Sequence, residues 1–214
     1  MEHSRQAAAL LLSLVLLLIG APPAAADEPT PNEQQARRIF DAAYRRVFGP
    51  QGSTLKYDVN IIGLYKTRGT IWMKGKKQRF TDERVDTWND GTTAYMAYRK
   101  KKIIEIHHAN SDKKDKYSGK FKFSLDDFTY HIADTSEGLL ITLKQKRSAK
   151  GTIKEVKALI HRNTLAPIRL KMRVLFFWAT ISVSNFQSGG ITDDMFVFPR
   201  ERFGSEWTYE DKRK

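Results

Sequence analysis

Pro167-Ile168-Arg169-Leu170-Lys171-Met172-Arg173-Val174, followed by Ala179-Thr180-Ile181-Ser182-Val183-Ser184, decides the fold. In the first stretch Ile168, Leu170, Met172 and Val174 alternate with Arg169, Lys171 and Arg173. In the second, Ala179, Ile181 and Val183 alternate with Thr180, Ser182 and Ser184. Successive side chains of an extended chain point to opposite faces, so a period of two means strands with one dry and one wet face. That pattern belongs to antiparallel sheets covered on one side. Upstream, Tyr57, Val59 and Ile61 oppose Asp58 and Asn60 in the same way. Residues 70–80 read as one second strand, with Ile71 and Met73 on one face and Trp72 on the other. Residues 84–88 form a third, and Asn89-Asp90-Gly91 is a turn of residues that tolerate a left-handed backbone. Ala94, Met96 and Tyr98 then alternate with Tyr95 and Ala97, and a basic turn, Arg99-Lys100-Lys101-Lys102, leads into residues 103–107. Further strands are expected at Tyr130 and over 139–143 and 153–161, about nine in all. Residues 109–119 are a charged loop, Ser124-Leu125-Asp126-Asp127 caps one helical turn, Phe196-Val197-Phe198-Pro199 closes the ordered part, and the tail from Lys212 frays.

Two segments before the strands have a different period. Thr30-Pro31-Asn32-Glu33 combines a hydroxyl cap, proline at the first helical position and glutamate at the third, the signature of a capped helix start. Ala36, Ile39, Phe40, Ala43 and Val47 follow at helical spacing, and Gly49-Pro50 stops the helix, which therefore spans about residues 31–48. An amphipathic helix beside a sheet with one dry face must cover that face. The expected architecture is α+β and mainly β: an antiparallel, unclosed half-barrel with an N-terminal helix over its concave face. Before the helix, Arg5 precedes an apolar run over residues 7–19, then Gly20, Pro22 and Pro23, and finally Ala24-Ala25-Ala26. This is the charge, apolar core and small-residue cleavage site of a secretory signal, giving a signal peptide over 1–26 and one domain over 27–214. The run is short for a transmembrane span of about 20 residues.

Composition narrows the chemistry. The absence of cysteine excludes disulfides, thiolate metal sites and cysteine nucleophiles, and in an exported chain it leans towards a bacterial source. A net charge of +13 suits an anionic partner or a well-solvated surface. His107 and His108 are neighbours on a strand and point to opposite faces, so they do not chelate one ion together. No nucleophile elbow, phosphate loop or zinc helix motif occurs, so no enzyme, no metal site and no cofactor are expected; a secreted hydrolase with a dispersed triad is the alternative of another class. Trp72, Tyr95, Tyr98 and Trp178 could stack on bases, but export separates the chain from most nucleic acid, and no nucleic-acid partner is expected. A binding module remains. Candidate groove-lining residues are Ile39 and Phe40 on the helix, with Ile61, Ile71, Met73, Met96, Tyr98, Leu170 and Met172 on strands. The flexible methionine thioethers suit ligands of variable shape. A fully packed core without a ligand is the competing reading.

The order of these elements resembles the periplasmic outer-membrane lipoprotein carriers of the LolA type. The matching stretches are Gly69-Thr70-Ile71-Trp72-Met73-Lys74-Gly75 with Arg79-Phe80, then residues 88–98 through Asp90-Gly91 to Tyr98, then Leu165-Ala166-Pro167-Ile168, and finally Asn185-Phe186 through Phe196-Val197-Phe198-Pro199. The chain departs from the best-known branch in lacking its Arg-Pro step; Lys74-Gly75 stands nearest. The resemblance implies an unclosed barrel whose apolar cavity holds the acyl chains of a lipoprotein in transit through the periplasm. Each methylene kept from water is worth about 0.8 kcal/mol, so a triacylated protein does not cross water alone. The implied partners are acylated lipoproteins or lipid, an inner-membrane release complex and an outer-membrane acceptor, with the carrier itself a monomer. A lipid-binding or stress-sensing envelope protein of the same half-barrel is the nearer alternative. Lys74, Lys76, Lys77, Arg99, Lys100 and Lys101 are expected to form one basic docking rim.

Overall fold

The computed structural model describes residues 28–61, 65–111 and 124–213; the segment 1–26, read above as a signal peptide, and most of the charged loop lie outside the described residues. Helix α1 (Pro31–Phe48) precedes β1 (Ser53–Ile61), β2 (Tyr65–Lys74), β3 (Lys77–Asp82), β4 (Val85–Asn89), β5 (Thr93–Tyr98) and β6 (Ile103–His108). After the gap come β7 (Phe128–Thr135), β8 (Gly138–Gln145), β9 (Ile153–Ile160), β10 (Pro167–Val174), β11 (Phe177–Ser188) and β12 (Thr208–Asp211). The twelve strands of the described residues belong to one sheet in the order β12-β6-β5-β4-β3-β2-β1-β11-β10-β9-β8-β7. The two ends, β12 and β7, do not pair, so the barrel is open. Neighbours are antiparallel except β12, which runs parallel to β6.

Burial follows the alternation. On β1, Ser53, Leu55, Tyr57, Val59 and Ile61 are buried while Lys56 and Asp58 are exposed. Register carries that face across the sheet: Leu55 lies opposite Ile71, Ile71 opposite Phe80, Phe80 opposite Thr87 and Thr87 opposite Met96. In the other direction Val59 lies opposite Ile181 and Ile181 opposite Leu170. Leu55, Val59, Ile71, Phe80 and Ile181 belong to the main core, against which Met96, Leu170 and the side chains of α1 pack.

The helix forms as its sequence dictates. The Thr30 hydroxyl accepts from the Glu33 amide, and the Glu33 carboxylate accepts from the Thr30 amide. Small side chains at Ala36 and Ala43, both buried, let the helix axis approach the sheet. Its first turn is fastened to the free edge of the barrel. Asn32 donates to the Ile132 carbonyl at 3.0 Å and accepts from the Ile132 amide at 3.0 Å, so one carboxamide satisfies both backbone groups of an edge residue on β7.

Two expectations need correction. Residues 70–80 are not one strand but the hairpin β2–β3, because Gly75 adopts φ 56°, a left-handed turn that a continuing strand excludes. The ordered part also continues beyond Pro199. Phe198, Phe203, Trp207 and Tyr209 pack behind the sheet against Trp88, Ala97 and Ile104 and bring β12 to the edge of β6. Phe198 stacks on Tyr95 and Phe203 at centroid distances of 4.3 and 5.0 Å.

Candidate functional site

A cavity of about 150 Å³ lies between α1 and the concave face. The helix contributes Phe40, Ala43, Tyr44, Val47 and Phe48. Opposite them are Leu55 and Tyr57 of β1, Ile71 and Met73 of β2, and Leu170, Met172, Ile181 and Val183 of the β10–β11 hairpin. Leu143 of β8 and Val156, Ala158, Leu159 and Ile160 of β9 add to the lining, with Leu125 and Pro167. Arg169 is the only charged residue in it among the described residues, and its guanidinium is turned to Glu137 at 2.6 Å. The Tyr57 phenol meets little water, and burial pushes its ionisation well above the ordinary tyrosine range. Among the described residues the lining is thus predominantly apolar.

Of the residues read from sequence, Phe40, Ile71, Met73, Leu170 and Met172 meet around this cavity. Ile61 is buried in the same core without lining the cavity, and Ile39, Met96 and Tyr98 pack against that core from farther off. Met96 shares the concave face with Ile71 but stands three strands away, on β5. Sequence reasoning passed over the β8–β9 contribution. Its signal was present in the alternation of Leu143 and in Val156 and Ala158, but nothing in one strand says which others the helix will span.

The six basic residues do not share a rim. In an antiparallel meander, successive turns fall at alternate ends of the strands. The β2–β3 turn bearing Lys74, Lys76 and Lys77 is therefore at one end, and the β5–β6 turn bearing Arg99, Lys100 and Lys101 at the other. Their roles differ as well. Lys74 and Lys77 both pair with Asp193, at 3.0 and 3.1 Å, and hold its carboxyl below the usual carboxylate range. Arg99 grips Asp86 with two nitrogens, the Thr81 hydroxyl at 2.8 Å and the Asp82 carbonyl. It is a structural clasp over the β3–β4 turn. Lys76 and Lys100 are exposed.

Across the sheet, His107 is buried and its Nε2 lies 3.1 Å from Glu105. That hydrogen bond lowers the Glu105 pKa, assisted by the charges of Lys212 and Lys101. Among the described residues no helix is long and apolar enough to cross a membrane.

No protein-family model matches the sequence, and comparison with curated proteins gives no match. Solved structures do match. An uncharacterized conserved protein from Thermus thermophilus superposes with a TM-score of 0.54 at 11% identity, covering 84% of this chain and 100% of that one. A domain described as an outer-membrane lipoprotein-sorting protein from Vibrio parahaemolyticus matches with a TM-score of 0.43 at 8% identity, over 77% of this chain and 97% of that one. A LolA superfamily protein from Nitrosomonas europaea matches with a TM-score of 0.39 at 10% identity, over 76% and 97%. The half-barrel with its covering helix is thus a fold that this chain shares, over most of its length, with a solved structure of very different sequence.

Proposed function

We propose that this protein is a periplasmic carrier that shields the acyl chains of lipoproteins, or of other acylated cargo, beneath α1 during transfer to the outer membrane. The observation that carries this reading is the apolar cavity between helix and sheet. A cavity of about 150 Å³ lined by hydrocarbon stays dry and accepts a small apolar group. It is smaller than ordinary ligand sites of ~300–1,000 Å³, so an acyl chain enters only if α1 moves. The helix suits that role. Two of its three buried residues are alanines, Ala36 and Ala43, and its N-terminal half is held by polar contacts that can break and re-form: Asn32 on Ile132, and Arg37 on Asp126 at 2.9 Å. Its other end continues into β1 through the short turn at Gly49 to Gly52 and serves as the hinge.

The test is saturable binding of a fluorescent fatty-acyl probe to the mature protein, with native mass spectrometry of material purified from cells. Leu170→Asp sets an unpaired carboxylate in the lining and is expected to weaken probe binding at least ~tenfold. A native protein that binds no probe and carries no lipid, while Leu170→Asp simply unfolds, is a filled core and ends the carrier reading.

A further inference from the structure

The β10–β11 hairpin ends in a two-residue loop, Leu175-Phe176, closed by the facing pair Val174 and Phe177. Leu175 is 51% and Phe176 88% exposed, the latter the most exposed large apolar side chain among the described residues. The backbone makes this placement unusual. Leu175 has φ 53°, and Phe176 is not among the residues with positive φ. A two-residue hairpin loop with a left-handed first residue is a position where glycine is at ease and a branched side chain is strained. Here the chain keeps leucine and follows it with phenylalanine. Neither choice serves the core: Leu175 is half-exposed, Phe176 stands largely in water with its ring edge-on to that of Phe177 at 5.8 Å, and the Leu175 backbone is strained.

The surroundings are basic. The Leu175 amide donates to the Thr152 carbonyl at 2.8 Å, which ties the tip to the β8–β9 connection. That connection carries Lys146, Arg147 and Lys150, the last two exposed. Among the described residues, three carboxylates of this end already have partners. Glu155 pairs with Lys157 and Arg173, Asp126 with Arg37, and Asp127 caps the Ser124 amide. Just behind the tip, Trp178 stands on β11 with the Lys157 ammonium 5.3 Å from its ring. The end of the hairpin therefore presents two apolar side chains at the front, cations beside them and a tryptophan behind.

We propose that this hairpin tip is a membrane-docking device, which inserts Leu175 and Phe176 into the interface of an anionic phospholipid bilayer while Arg147 and Lys150 meet the headgroups. Two protruding side chains are far too small a patch for a specific protein interface of ~800 Å² per partner. A bilayer needs no shaped pocket: it rewards apolar area and positive charge together, and tryptophan favours the boundary layer. The proposal does not use the acyl cavity, because neither tip residue lines it.

The test is flotation of the mature full-length protein with vesicles of phosphatidylethanolamine and phosphatidylglycerol, against vesicles of phosphatidylcholine alone. Wild type is expected to float with the anionic vesicles and to be released by salt. Phe176→Ser should lower the apparent affinity about tenfold or more. Arg147→Gln with Lys150→Gln should lower it about tenfold by removing charge alone. Leu175→Gly should raise the melting temperature by releasing the strained backbone and still weaken flotation, which separates docking from folding. Binding of the acyl probe should be unchanged in Phe176→Ser, so the docking and carrier readings fail separately. Absence of flotation, or flotation indifferent to both tip substitutions, overturns the proposal. So does a concentration-dependent dimer that Phe176→Ser dissolves without any vesicle binding, because the tip would then be a self-association contact.

Discussion

Gly69 on β2 shows how closely one residue can be prescribed. A Cβ there would stand 2.0 Å from the Thr81 carbonyl oxygen and 2.6 Å from the Tyr57 hydroxyl. The Tyr57 ring lies across the place where a side chain would be, and the Thr81 backbone cannot retreat without parting β2 from β3. Gly69→Ala is therefore expected to cost about 3 kcal/mol, read as a lower urea midpoint with an unchanged slope. Glu105 offers a test of electrostatics at the same scale. Its pKa is lowered in the folded protein by the hydrogen bond from His107, so it adds stability above the ordinary carboxylate pKa and loses it as pH falls through the lower folded value. The melting-temperature gap between wild type and Glu105→Gln should be widest at neutral pH and shrink as pH falls below the ordinary carboxylate range. A gap that widens on acidification would contradict this sign.

At the scale of the element, α1 does two jobs at once: it seals the concave face and it closes the β7 edge. The paired hydrogen bonds of Asn32 to Ile132 replace a missing neighbouring strand. Asn32→Ala should cost about 1–2 kcal/mol and speed hydrogen exchange at the Ile132 amide, because an edge donor returns to water. Farther along, the Phe40 and Tyr130 rings meet edge to face at 5.9 Å, with the Arg37 guanidinium 5.2 Å from the Tyr130 ring. If the helix swings away to admit an acyl chain, this junction must open. Cysteines at Phe40 and Tyr130 joined by a short bis-maleimide should block probe loading, and the cysteine-free chain ensures that only that pair reacts. Normal loading by the cross-linked protein would mean that α1 is no lid.

The whole molecule is a sheet with a different cover on each side. Helix α1 covers the concave side, and the C-terminal segment covers the back of β4 to β6 with Phe198, Phe203, Trp207 and Tyr209. Trp88 anchors the second cover. It meets Phe198 and Phe203 edge to face at 5.4 and 5.9 Å, with the Arg79 guanidinium 5.5 Å from its ring. Trp88→Ala should lose about 3–5 kcal/mol in chemical unfolding. It should leave acyl-probe binding intact in the folded fraction, because Trp88 is not in the cavity lining. Loss of probe binding in folded Trp88→Ala would show that the two sides of the sheet are coupled.

Whatever depends on neighbours along the chain can be read from the residues alone. Thr30, Pro31 and Glu33 set the start of the helix through local hydrogen bonds, and the period-two pattern of β1 and β10 set which side chains face inward. The candidate site was legible to the same extent: Ile71, Met73, Leu170 and Met172 declare a dry face wherever their strands end up. The company those faces keep emerges only when the strands assemble. Met96 shows the same alternation as Met73, yet it lies away from the cavity, because distance across a sheet is set by strand order and not by strand pattern. The charges behave likewise. Arg99 and Lys100 are neighbours in sequence, but Asp86, thirteen positions before Arg99, clasps that guanidinium while Lys100 is left exposed. The aromatic residues beyond Pro199 have no period of their own, since the spacing 198, 203, 207, 209 matches neither a helix nor a strand. Their place was set by the uncovered back of β4 to β6, a surface that exists only after the meander has folded.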